Sequence, residues 1–255
     1  MSTTVEPVEP VEPARPTVPP ARSEAVGLRD SWPLCRRDAL TLVAWFVGLT
    51  AVGVAIGLLL TGPLDGTAVT RFDENVSQWF ADHRTPTMDD LTWIGSMLAD
   101  TMVKVAVTAV VAIAMLVAWR SWREPLMVVL ALVLEASTFI VVTTIVGRPR
   151  PDVVRLEGSP VDSSFPSGHT AAAAAYGAIV IVIWWRCERR WLRIGSAVLV
   201  TAIVLAVGFS RTYRGMHHVI DVVAGALLGA VSVLAVWLIL RDRGPDRDPS
   251  VPAAP

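Results

Sequence analysis

The chain has 255 residues, 53% of them hydrophobic, with a mean hydropathy of +0.53, which is too apolar for an ordinary soluble domain. Its formal net charge of −1 offers no general attraction to nucleic acid. The two cysteines, Cys35 and Cys187, each adjoin an arginine, which argues against a disulfide framework, and no Cys/His cluster has metal-ligand spacing.

Residues 1–35 begin with three Val-Glu-Pro repeats and continue rich in Pro and Ala, without apolar periodicity. That composition predicts an extended, disordered tail. The first apolar run starts too late and is too long for a signal peptide. It covers residues 39–60 without a charge, enough to cross ~30 Å of hydrocarbon. Residues 63–90 read as a polar connection, in which Val76, Trp79 and Phe80 of Phe72–His83 predict an amphipathic helix at the membrane interface.

Further spans are expected at 102–119, 125–146, 170–185, 194–209 and 222–240. Lys104, the single lysine, lies near the outer end of the second, where its side chain can reach the headgroups. Glu135 falls in the middle of the third and should face the bundle and hydrogen-bond there. Two spans are only 16 residues long, so the polar residues beside them are expected to extend the helices. Ala171–Ala175 offers a small-residue face for close helix packing. The expectation is an all-α, six-transmembrane-helix bundle over residues 36–243, with a disordered Pro-rich tail before it and a second tail at 244–255.

Loop charge sets the orientation. Arg36 and Arg37, Arg120 and Arg123, Arg186 to Arg193, and Arg241 and Arg243 fall on one side of a six-span chain. That side is cytoplasmic by the positive-inside rule, with both termini on it, and Trp119, Trp122, Trp184, Trp185 and Trp191 mark the same boundary. Arg148, Arg150, Arg155, Arg211 and Arg214 fall on the opposite side, as exceptions that phosphate binding explains.

Those exceptions lie in three polar stretches. Gly147-Arg148-Pro149-Arg150-Pro151 follows the third span, and Phe165-Pro166-Ser167-Gly168-His169 precedes the fourth, at a helix N-terminus whose free amides favour an anion. Gly168 lets backbone come close to a phosphate. Ser210 to Asp221 separates the last two spans. His217 and Asp221 are four residues apart, a spacing that on a helix lets the carboxylate take the Nδ1 proton and leave Nε2 as nucleophile or base. Arg211 and Arg214 place fixed positive charge beside that ring.

In order, these stretches read Arg-Pro, Pro-Ser-Gly-His and Ser-Arg-(five residues)-His-(three residues)-Asp. The chain thereby resembles the type 2 phosphatidic acid phosphatase superfamily, which shares its site with vanadium haloperoxidases, over roughly residues 65–240. Within it, the likeness is to the bacterial integral-membrane lipid phosphatases. The family pattern carries a Lys seven residues before its Arg-Pro arginine; counting back from Arg150 gives Thr143, and from Arg148 gives Val141. Arg148 or Arg155 is the candidate substitute.

The resemblance implies hydrolysis of a phosphomonoester or diphosphate without metal or cofactor, through a phosphohistidine. By that pattern His217 attacks phosphorus, Asp221 orients it, and His169 protonates the leaving oxygen and then activates water. Arg150, Ser167, Gly168 and Arg211 hold the phosphoryl oxygens, with Arg148 and Arg214 as weaker candidates and His218 as a bystander. The substrate is a membrane lipid phosphate: phosphatidic acid, phosphatidylglycerol phosphate or a polyprenyl phosphate or diphosphate. The site faces away from the cytoplasm at the plasma membrane, and no nucleic acid or protein partner is implied. A transporter is disfavoured because Glu135 is the only central charge, and a haloperoxidase because of the apolar composition. The remaining alternative, on account of Thr143, is a catalytically degenerate member with a binding or scaffold role.

Overall fold

The computed structural model describes residues 33–159 and 161–241; the expected tails lie outside these, apart from Pro33–Cys35. The described residues form helices and loops, with no strand. In chain order the helices are α1 Arg36–Thr61, α2 Ala68–Asp82, α3 Pro86–Met97, α4 Thr101–Trp119, α5 Arg123–Val146, α6 Gly168–Ala175, α7 Gly177–Arg186, α8 Arg190–Tyr213 and α9 Val219–Leu240.

Among the described residues, six segments are long and apolar enough to cross a membrane: α1, α4, α5, α6 with α7, α8 and α9. Their outward faces are apolar, with Val117 74% and Leu205 68% exposed, which suits a hydrocarbon solvent rather than water. The bundle closes on Met127, Val128 and Ala131 of α5, Ala178 and Val182 of α7, and Val236 and Leu240 of α9. Glu135 also points inward and is wholly buried, but neither carboxyl oxygen has a hydrogen-bond partner among the described residues. The hydrogen bond expected for it is therefore absent there.

The apolar runs underestimate the helices next to the polar stretches. α8 does not stop at Phe209; it carries Ser210, Arg211, Thr212 and Tyr213 in helical form and ends before Gly215, which takes a left-handed φ of 70°. The residues expected to be a polar connection contain α3 as well as α2. Thr85 caps α3, accepting from the Met88 amide, and Pro86 fills the first helical position, where a missing N–H does no harm. Gly95 lets α3 press against α8, since a Cβ there would meet Ser210 Oγ at 2.2 Å.

The tightest helix contact builds the site. Ala171 to Ala175 of α6 are all buried, facing a Gly225-to-Gly229 stripe on α9. A Cβ on Gly225 would stand 2.3 Å from the Ser167 carbonyl oxygen, and one on Gly229 2.2 Å from that of Ala171. Backbone therefore touches backbone, as small-residue stripes allow, and the start of α6 is held against the start of α9.

Candidate active site

The polar stretches meet at one end of the bundle, where α5 and α8 end and α6 and α9 begin. Gly147, at φ 60°, terminates α5 and turns Arg148-Pro149-Arg150-Pro151 outward. Phe165, 1% exposed, packs with Leu60, Val142 and Val146 and pins the segment leading into α6. The Ser167 amide donates to the Asp221 carbonyl at 2.9 Å, tying that segment to α9.

His217 lies just before α9, buried, with Nδ1 2.7 Å from the Ser164 carbonyl oxygen. A carbonyl can only accept, so Nδ1 carries the proton and Nε2 keeps its lone pair. Burial, then the Arg211 charge, pushes this imidazole well below its ordinary value of 6.5, against the opposing pull of Asp221. His217 is thus neutral, in the tautomer a nucleophile needs.

The expected contact between His217 and Asp221 is not made, and the cause is the helix register. His218 is the N-cap and Val219 the first helical residue of α9, so His217 precedes the helix and the four-residue stacking rule does not reach it. Asp221 is instead the third helical residue and turns back as an N-terminal cap: Oδ2 accepts from the His218 amide at 2.9 Å and faces His218 Nδ1 at 3.2 Å. The Ser164 carbonyl takes the orienting part assigned to the carboxylate.

Arg148 is bound within the protein. Its Nη1 donates to Asp221 Oδ1 at 2.5 Å and its Nη2 to Asp73 Oδ2 at 3.0 Å, all three side chains being buried. Both ends of the guanidinium are taken up in bracing α2 to α9, through two carboxylates fixed on helices. His218 is held in the same network, its Nε2 lying 3.1 Å from Glu74 Oε2. Helix α2 does have the amphipathic form expected, but two residues of its polar face, Asp73 and Glu74, point into this network.

The remaining candidates divide. Ser167 Oγ caps α6, 3.4 Å from the Thr170 amide and 2.9 Å from Thr170 Oγ1. Gly168 is needed for packing, because a Cβ there would meet the Phe139 ring at 2.9 Å. Gly168 and His169 are the first residues of α6, whose amides have no acceptor within the helix. The charges acting on His169 are Arg211, Glu157, Lys104 and Asp100, and Arg211 acts also on His217 and Arg150. The charge of one arginine therefore bears on both histidines.

Arg150 donates to the Met216 carbonyl through Nη1, and through Nη2 to Ser159 Oγ at 2.7 Å and to the carbonyls of Val161 and Ser163. Burial and the nearby charges of Arg211 and Arg155 bring it down to about 10. Arg211 donates from Nη1 to Ser96 Oγ at 2.6 Å and to Glu157 Oε2 at 2.5 Å, and the Arg214 Nε is ion-paired to Glu157 Oε1. Sequence reasoning did not find Ser164, Ser96, Glu157, Asp73 or Glu74. Only Asp73 and Glu74 carried a signal, as acids beside the aromatic face of an amphipathic helix.

Residues 124–245 match the model of the PAP2 superfamily. Among curated proteins, the bacitracin transport permease protein BcrC of Bacillus licheniformis is 36% identical over 87 residues, 34% of this chain and 38% of that protein. The undecaprenyl-diphosphatase of Sulfolobus acidocaldarius is 37% identical over 84 residues, 32% of this chain and 37% of that protein. The matches thus span under two-fifths of those relatives. Among solved structures, a transmembrane PAP2-type phosphatidylglycerolphosphate phosphatase from Bacillus subtilis superposes with a TM-score of 0.67 at 23% identity, covering 82% of this chain and 99% of that one, which shows a shared fold.

Proposed function

We propose, on the match of residues 124–245 to the PAP2 superfamily, that this membrane protein hydrolyses a lipid phosphate or diphosphate through a phosphohistidine at His217. The observation that carries the reading is His217 itself: buried, neutral, its Nδ1–H held by the Ser164 carbonyl, with Arg211 beside it. Nε2 attacks phosphorus and the bond to the lipid oxygen breaks. His169, at the α6 N-terminus, gives that oxygen a proton. It then takes a proton from water, which attacks the phosphohistidine and frees phosphate and neutral His217. Arg150, Arg211 and the first α6 amides supply the positive charge a phosphoryl transfer needs, without a metal ion.

A lipid substrate suits the surroundings. A groove of about 680 Å³ opens between α8 and α9, starting beside Thr170 and Thr212 and lined further along by Val204, Val222 and Leu227. From Val219 to Ala230 it follows α9 for about 16 Å, the length of an extended hydrocarbon segment. The diphosphatase and phosphatase names of the relatives point the same way. We take 36–243 as the catalytic unit, with both termini cytoplasmic and the site at the outer face of the plasma membrane. Arg123, Arg186 and Arg241 at the other end favour that orientation.

The test is phosphate release by the purified full-length protein in detergent, offered phosphatidic acid, phosphatidylglycerol phosphate and polyprenyl mono- and diphosphate in EDTA. Turnover that needs added Mg²⁺ would refute the metal-free route. For the orientation, an impermeant thiol reagent on intact cells should label a Cys at exposed Val154 and leave Cys187 unlabelled. One observation favours the second reading, a non-catalytic member: Thr143, buried, stands where the family has a cation. Absence of release from every lipid in the panel would favour it.

A further inference from the structure

Beside His217 the donors converge on a carboxylate of the chain's own. Glu157 Oε2 accepts from Arg211 Nη1 at 2.5 Å and from Ser96 Oγ at 3.2 Å, while Oε1 is ion-paired to the Arg214 Nε. Ser96 is wholly buried, and Arg211 and Arg214 are 3% and 5% exposed, whereas the Glu157 side chain is 18% exposed at the mouth. Burial alone would push the Glu157 carboxyl up, but Arg211, Arg214 and Ser96 outweigh it and hold the group below its ordinary value. The Nε atoms of Arg211 and Arg150 are buried without an acceptor among the described residues. Such orphaned donors are rare unless something else binds there.

We propose that Ser96, Arg211 and Arg214 form a cradle for one phosphoryl group of the substrate, and that Glu157 occupies it as an internal anion which the substrate displaces. The inference rests on the hydrolase reading above. Two arginine side chains and a hydroxyl, presented to two oxygens, are the donor set that a phosphate takes as readily as a carboxylate. The other hydrogen bonds of Arg214 go to the protein: Nη1 to the Asp89 carbonyl and Thr92 Oγ1, Nη2 to the Leu156 carbonyl. Its Nε is thus fixed toward the cradle. Ser96 is brought in by α3, the helix that Gly95 allows against α8, so the cradle includes an element outside the three sequence motifs.

Charge decides what can enter. With Glu157 in place, two guanidinium charges face one carboxylate. A terminal phosphate dianion that replaces it leaves the cradle neutral, whereas a phosphodiester headgroup carries one charge and gains nothing over Glu157. Terminal lipid phosphates and diphosphates are selected over the diester lipids around them. Entry requires the Glu157 segment to move outward; that segment is held by the bond from Arg214 to the Leu156 carbonyl and by one of 2.7 Å from Arg84 Nη1 to the Val154 carbonyl.

The test uses the full-length protein in detergent with inorganic phosphate and dimethyl phosphate as probes, measured by calorimetry or thermal shift. Glu157→Gln, and Glu157→Ala as a second variant, should tighten inorganic phosphate about tenfold or more by removing the competing charge. Adding Ser96→Ala to Glu157→Gln should lose much of that gain. Wild type should bind dimethyl phosphate at least about tenfold more weakly than phosphate. Unchanged or weaker phosphate binding in both Glu157 variants would overturn the cradle, as would indifference to Ser96→Ala. Equal affinity for the two probes would overturn the charge argument. Lipid phosphate release is scored separately on the same preparations. Tightened phosphate without turnover would refute the hydrolase and leave the cradle; turnover with unaltered phosphate affinity would do the reverse.

Discussion

Arginines crowd both ends of this bundle, yet they are held by different chemistry. At the end away from the site, Arg123 lies 3.8 Å over the Trp185 ring and donates to the carbonyls of Leu240 and Arg241, which close α9. Arg186 lies 5.5 Å over Trp119 and pairs with buried Glu124 at 2.6 Å. Those partners are rings, helix-ending carbonyls and a carboxylate fixed on the first turn of α5, none of them carried on a loop. At the site end, Arg150 holds loop carbonyls and Arg211 a loop carboxylate. Such partners are exchangeable, because a phosphate offers the same acceptors with more charge. A buried arginine is a binding candidate when its acceptors can leave.

The largest effect that separates the two ends is on turnover. His217→Ala should lower kcat/KM for a lipid phosphate by about 10⁴-fold or more, the scale on which removing a nucleophile acts. Arg123→Ala should leave kcat/KM within a few-fold and lower only the melting temperature. Steady-state phosphate release from both variants checks this. An active His217→Ala would erase the distinction.

Next comes stability. Arg148→Ala strands Asp73 and Asp221 as buried, unpaired carboxylates, which should destabilise the fold by about 3–5 kcal/mol. Arg186→Ala should do less, because it strands one buried carboxylate, Glu124, rather than two, and the arginine itself is 29% exposed. Melting curves of the two variants rank them, and the opposite order would show that the site end is not the more tightly braced.

This bracing also marks what the sequence could show. The apolar runs announced α1, α4, α5 and α9 because lipid-facing composition is a local property. His217, His169 and Arg211 were legible because residue type and spacing suffice to name them. Their partners were not. The register of α9 turns Asp221 into a cap and hands His217 to Ser164, and register depends on where His218 sits in the assembled bundle. Glu157 and Ser96 meet Arg211 only through tertiary closure, across sequence separations of 54 and 115 residues. Helix α3 could have been read from Thr85-Pro86, but its lack of a full span hid it.

A smaller effect tests how the site is brought together. Gly229→Ala puts a methyl 2.2 Å from the Ala171 carbonyl oxygen, so α6 and α9 must part. A loss of about 1–3 kcal/mol in stability is expected, with a fall in kcat because His169 moves relative to His217. Gly195→Ala on α8, where an added Cβ meets nothing within 4 Å, is the control. Equal behaviour of the two variants would refute the backbone contact.

The smallest effect is in pH. The His217 pKa is lower folded than unfolded, so as pH falls below about 6.5 the unfolded chain takes up the proton first and stability drops. Glu157, also depressed, loses its contribution only further down, below its ordinary value of 4.5. Between pH 7 and 5 the melting temperature should therefore fall in wild type and fall less in His217→Gln. Parallel curves would mean that His217 is not a buried neutral ring.

The most direct test of the central claim is the covalent intermediate. Wild type and His169→Gln, given a lipid phosphate labelled in the phosphoryl group, are quenched in base during turnover and digested, and the labelled peptide is identified by mass spectrometry. The account predicts a phosphoryl group on His217, stable to base and lost in acid, and absent from His217→Ala. Turnover that continues with no label on His217, or that survives His217→Ala, would contradict it.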